Sequence, residues 1–198
     1  MNTRSERDMI GEEAIAARSD AGPGVKRALG TYLQEAIQIL QLDTRAIARV
    51  AKDEEALLPA LLFFAIGGLA NGAGHFSFTG MVFGPILATL MSFVFVGLLS
   101  IIARLFGSSA SFLELYRPLG VAAPLHWVQA VPLIGSFLGA LALLYFAVIA
   151  GLAIETTGDL PRPKAVAVVV LLAGILLFLV LVFLAMYGSY FLIRALFA

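Results

Sequence analysis

Between residues 56 and 103 no Asp, Glu, Lys or Arg interrupts the chain, and the same holds for residues 118–154 and 165–193. A bilayer core ~30 Å thick takes roughly 20 apolar residues of helix. The first run therefore predicts two spans, near residues 56–70 and 82–103, parted by the Gly- and Asn-bearing stretch "NGAGHFSFTG", which reads as a turn. The last run predicts one span over residues 165–193, long enough to tilt or protrude. The middle run would be ~55 Å long as a single helix, nearly twice the core. Two shorter spans fit better, joined by a turn at "VPLIGS", where Pro132 and Gly135 both punctuate a helix. Pro124 then lies inside the third span and kinks it, which neighbouring helices make tolerable in a membrane. The fourth span falls near residues 136–154.

Upstream the pattern changes. Val25, Leu29, Tyr32, Leu33, Ala36, Ile37 and Leu40 recur at helical spacing and form one apolar stripe. Asp43 or Thr44 offers an N-cap for a second short helix in "RAIARVAKDEEALL". Residues 25–55 thus read as an amphipathic segment lying in the membrane interface, with Leu33 and Ile37 on its buried face. Residues 1–24, charged and broken by "DAGPG", read as a disordered cytoplasmic tail. The fold class is all-α: a polytopic membrane protein of five transmembrane helices, residues 56–198, preceded by an N-terminal amphipathic helix.

Composition agrees. Of 198 residues 61% are hydrophobic and 13% charged, against about 25% charged in soluble domains. The first 20 residues carry several acids and no apolar core, unlike a secretory signal or transit peptide. Arg outnumbers Lys ten to three, a bias of GC-rich bacterial genomes. Net charge is zero, which argues against a nucleic-acid partner. With five spans and the N-terminus inside, twelve Lys and Arg lie inside and Arg194 outside; four spans would leave eleven and two. The count favours an N-in, C-out protein of a bacterial inner membrane, its C-terminus periplasmic.

Little in the chain points to chemistry. There is no cysteine, and the two histidines, His75 and His126, fall short of the four ligands of a zinc site. No cofactor and no enzymatic activity are expected. His126 and Gln129 read as polar contacts between helices, and Trp127 as an anchor or packing residue. Three GxxxG patterns, from Gly68, Gly80 and Gly135, allow close helix crossings. The most chemically distinct region is the cytoplasmic edge. Arg104, Glu114, Arg117, Glu155, Asp159, Arg162 and Lys164 should gather there, as snorkelling residues or as a polar docking surface in which Glu114 and Glu155 pair with Arg117 or Arg104.

The stretch "SFLELYRPLGVAAPLHWVQAVPLIGSFLGALALLYFAVIAGLAIETTGDLPRPKAVAVVVLLAGILL" resembles the Yip1 family of integral membrane proteins in its bacterial branch. The likeness lies in order: a Pro-containing span, the turn of Val131, Pro132 and Gly135, an aromatic-rich span, Gly151 near its end, a polar loop, and a last apolar run opening at Lys164 and Ala165. "LDTRAIARVAKDEEALLPALLFFAIGG" is similar to the family's entry helix and first span, so the resemblance covers roughly residues 40–195. It implies five spans and a cytoplasmic N-terminus. Eukaryotic members act in vesicle trafficking and associate with small Rab-type GTPases and with each other; their "DLYGP"-like element has Gly where "ELYRP" here has Arg117. The expected function is a non-enzymatic scaffold or adaptor, whose partners are the lipid bilayer and other membrane proteins, self-association included. The alternative is a small transporter or channel, suggested by the broken third span and by Gln129.

Overall fold

The structure, a computed structural model, describes residues 29–197. The tail read as disordered, residues 1–24, lies outside them. Among the described residues there are helices and their connections and no strand.

Helix α1 spans Leu29–Leu40 and α2 spans Thr44–Lys52. Between them Leu42 takes a positive φ of 64°, and the Asp43 carboxylate accepts the Arg45 N–H at 2.8 Å, the cap expected from the sequence. Asp53 ends α2 and starts the next turn by accepting the Glu55 N–H at 3.1 Å. The two helices are pinned together by Arg49, which bonds Glu35 at 3.0 Å and Gln38 at 2.7 Å, and by the Tyr32 hydroxyl donating to Asp53. Both pack into the protein: Tyr32, Ala36 and Ile39 of α1 and Ala46, Ile47, Val50 and Ala51 of α2 are at most 2% exposed.

The apolar stripe of α1 therefore divides. Its protein-covered edge is Tyr32, Ala36 and Ile39, whereas Leu33 and Ile37, expected to face lipid headgroups or the membrane domain, are 37% and 56% exposed on the protein's surface. The reason is that a helix 12 residues long meets the bundle along one narrow i, i+4, i+7 line. The adjoining line of Leu29, Leu33 and Ile37 stays uncovered.

Among the described residues four helices are long and apolar enough to cross a membrane: residues 54–74, 78–105, 135–157 and 162–185. They correspond to α3 (Leu57–Gly74, entered through one 3-10 turn), α4 (Phe78–Leu105), α6 (Gly135–Thr157) and α7 (Arg162–Phe197). The glycines read as a turn over 71–80 are mostly helical, and only residues 75–77 turn, with Ser77 capping α4. Their role is close approach. A Cβ on Gly68 would sit 2.2 Å from the Gly84 carbonyl oxygen, and one on Gly72 would sit 2.4 Å from Gly80. Two of the GxxxG patterns thus face each other across the α3–α4 crossing. The third pattern packs on Gln129, which a Cβ on Gly135 or Gly139 would strike.

The expected third span is a broken one. Helix α5 (Phe112–Val121) opens with a reciprocal capping box between Ser111 and Glu114 and ends after 10 residues. The chain continues as a 3-10 segment, Ala123–Ala130. Pro124 explains the break, because it lacks an N–H and its ring would clash with the carbonyl four residues back. The α5 and 3-10 stretch runs parallel to α3 along its length. Gly120 packs against Ala60, the Trp127 indole N–H donates to the Phe63 carbonyl at 3.1 Å, and Gln129 reaches Asn71 and Gly74. After a turn at Pro132–Leu133, where φ is 69°, α6 runs back. Its far end meets the α4–α5 loop, where the Ser109 N–H bonds the Gly158 carbonyl at 3.2 Å. The core at mid-height is aromatic. Tyr116, fully buried, stacks on Phe93 at 4.7 Å and shares a 2.8 Å hydrogen bond with Ser92.

Candidate functional site

The polar residues expected at the cytoplasmic edge all lie at one end of the bundle, where α4 ends, α5 begins, α6 ends and α7 begins. They do not pair as anticipated. Glu155 bonds Arg162 at 3.2 Å, with the arginine side chain 72% exposed, a geometry worth little in water. Glu114 spends its carboxylate on its own helix, accepting the Ser111 N–H at 2.7 Å. That N–H, aided by the Ser111 hydroxyl, holds the carboxyl below its ordinary range. Arg117 reaches neither acid. Its guanidinium donates to the Ala51 carbonyl at 2.9 Å, at the C-terminal end of α2, and its Nε is buried without a partner among the described residues. A cation there also suits the negative end of the helix dipole. Arg104, Asp159 and Lys164 are exposed, and their side chains join no ion pair among the described residues. This end of the bundle thus carries one exposed ion pair and otherwise separate charges, one of which, Arg117, fastens α2.

A second polar group lies at the opposite end. His75 Nδ1 is 2.9 Å from the Asn71 carbonyl, and His75 Nε2 is 3.2 Å from the Ser136 hydroxyl. The Asn71 amide donates to Gln129, whose own amide nitrogen lies 3.5 Å from His126 Nδ1. His126 packs on Phe146 with ring centres 5.1 Å apart. These contacts tie the α3–α4 turn to the 3-10 segment and the start of α6. Beside them lies a groove of about 540 Å³, floored by Gly68, Gly72, Gly80 and Gly84 and bordered by Asn71, His126 and Gln129. Sequence reasoning singled out His126, Gln129 and the glycines but did not join them to Asn71 or Ser136. The available signal was spacing: Asn71 and His75 stand four apart on one helix face, and His126 and Gln129 three apart.

The arrangement offers hydrogen bonds from neutral amides, a hydroxyl and imidazoles. Among the described residues no group of three His, Cys, Asp or Glu forms a metal site. No match was found among curated proteins or among solved structures. The Yip1 domain family, by contrast, matches residues 37–185. That interval takes in α2, both glycine-lined helices, the broken third segment, α6 and most of α7. The chain is an integral membrane protein and belongs to the Yip1 family.

Proposed function

We propose that this protein is a non-enzymatic scaffold or adaptor of a bacterial inner membrane, binding other membrane proteins and further copies of itself side by side in the bilayer. The observation that carries this reading is α7. It is 36 residues long, and among its described side chains the buried ones, Ala165, Val168 and Leu172, all lie in its first turns. In the most apolar 18-residue stretch within residues 162–185 only 11% is buried, and Val170, Leu177, Phe178 and Leu181 stand 56–65% exposed around the helix. Apolar surface toward lipid gains nothing by hydrophobic burial, so association there rests on packing. A long helix held at one end presents such a surface to neighbours. The exposed α1 edge of Leu29, Leu33 and Ile37 extends the contact to the lipid interface.

Five crossings fit this reading. The 3-10 segment is too irregular to count as a spanning helix by itself, yet it accompanies α3 from Phe63 to Gly74, sealed from lipid in part by protein contacts. Irregular backbone at membrane depth is tolerated where protein surrounds it. The N-terminus is then cytoplasmic and the C-terminus periplasmic. The test uses a photoreactive amino acid at Leu177 or Leu181 of the full chain in native membranes. Protein adducts should form reproducibly, to a second copy or to a small set of membrane proteins. Adducts to lipid alone would end the scaffold reading.

A further inference from the structure

We propose that the groove between α3, α4 and the 3-10 segment binds a single-chain amphiphile with an uncharged, hydrogen-bonding headgroup, taken up sideways from the bilayer. The groove follows α4 from Ser77 to Met91, ~21 Å at helical rise. Its two ends differ in chemistry. Ser77, Thr79, Asn71 and Gln129 line the end beside the α3–α4 turn; Phe64, Leu87, Ala88, Met91 and Ala123 line the end toward the bundle's middle. This is the polarity of a lipid in that leaflet, head at the interface and chain toward the midplane. A volume of about 540 Å³ falls within the usual range for small-ligand sites. Bare backbone at the four glycines makes the floor, and Phe83, Leu87 and Met91, each 51–61% exposed, flank the side open to lipid.

The headgroup class follows from the lining. No Asp, Glu, Lys or Arg borders the groove, so a charged head would lose water without gaining a counter-charge. Hydrogen-bonding capacity is present and only partly used. Asn71 donates to Gln129 through its amide nitrogen, leaving its carbonyl oxygen; His126 engages Gln129 through Nδ1, leaving Nε2; Ser77 accepts the Gly80 N–H, leaving its hydroxyl hydrogen. A hydroxyl- or amide-bearing head supplies both donors and acceptors to this set. The site is independent of the scaffold reading, which rests on α7.

The test uses the full chain in phospholipid nanodiscs and a monoacylglycerol carrying a photoreactive group in its acyl chain. Labelling should saturate, map to the groove residues of α3, α4 and the 3-10 segment, and be displaced by unlabelled monoacylglycerol. The same chain ending in a carboxylate should label more weakly, and glycerol should not compete. Leu87→Trp, which fills the groove from its lipid side, should abolish specific labelling, while Leu177→Trp on α7 should leave it intact. His126→Phe keeps the ring packing on Phe146 but removes a head contact, and should weaken labelling about threefold to tenfold. If Leu87→Trp does not fold, His126→Phe decides. Labelling spread evenly over lipid-facing helices, equal labelling by the carboxylate, displacement by glycerol, or a groove occupied by a segment of another polypeptide would each overturn the proposal.

Discussion

Glycines carry opposite meanings within one helix pair. On α4, a Cβ at Gly97 would meet nothing within 4 Å, whereas a Cβ at Gly68 of α3 would be driven into the Gly84 backbone. Backbone cannot swing aside as a flexible side chain can. Gly68→Ala should therefore cost about 1–3 kcal/mol through overpacking, and Gly97→Ala should be neutral or stabilising by up to about 1 kcal/mol. Thermal unfolding in one detergent, variant beside variant, measures the contrast. Glu114 makes a residue-scale prediction in pH. Its carboxyl is held below the ordinary 4.5 by Ser111, so its charge stabilises the fold above that value and the benefit fades as pH falls through the folded-state value. Glu114→Gln keeps the capping shape without the charge. Wild type should melt higher at pH 7, and the two melting temperatures should converge at acid pH. The sequence announced neither role in full. Gly72 and Gly80 read both as turn formers and as members of GxxxG patterns, and only the partner backbone decides between a turn and a crossing.

At the scale of elements, the spans and caps were legible because apolar runs and cap residues are local signals. Asp43 and the Pro132 turn stand where the chain placed them. The docking of α1 and α2 was not legible, since an amphipathic stripe looks alike whether lipid or protein covers it. Only part of the stripe, through Tyr32, Ala36 and Ile39, found protein. Arg117 holds this hairpin through the Ala51 carbonyl, and hydrogen bonds from charged groups are worth about 1.5–3 kcal/mol. The unpartnered Nε offsets part of that, which places the expected loss at the lower end. Arg117→Met, which retains an apolar stem, should speed amide hydrogen exchange across residues 29–53 and leave α6 protected. Equal protection in both proteins would mean that the hairpin is seated without Arg117, by packing and the Tyr145–Leu40 bond.

For the whole molecule, the form of the third segment was not readable in the sequence. Pro124 foretold a kink; that the chain would change helix type and lie along α3 depends on contacts about 60 residues away and is invisible locally. Five crossings, as proposed, would put residue 198 outside and the 155–164 loop inside, and four would reverse them. An alkaline phosphatase fusion after Ala198 should be active in a bacterial host and one within that loop inactive. The reversed pair would mean that 118–135 does not cross.

The bond between the Tyr145 hydroxyl and the Leu40 carbonyl joins residues 105 apart. A ribosome adding about 5–20 residues per second leaves the first hairpin without that partner for about 5–20 s. Assembly therefore runs against the order of synthesis: α1 and α2 emerge first and are seated after α6 is inserted. During that interval their apolar edges need cover, and the bilayer surface is the nearest available. The exposed Leu29, Leu33 and Ile37 edge keeps in the finished protein the face that a waiting helix would rest on.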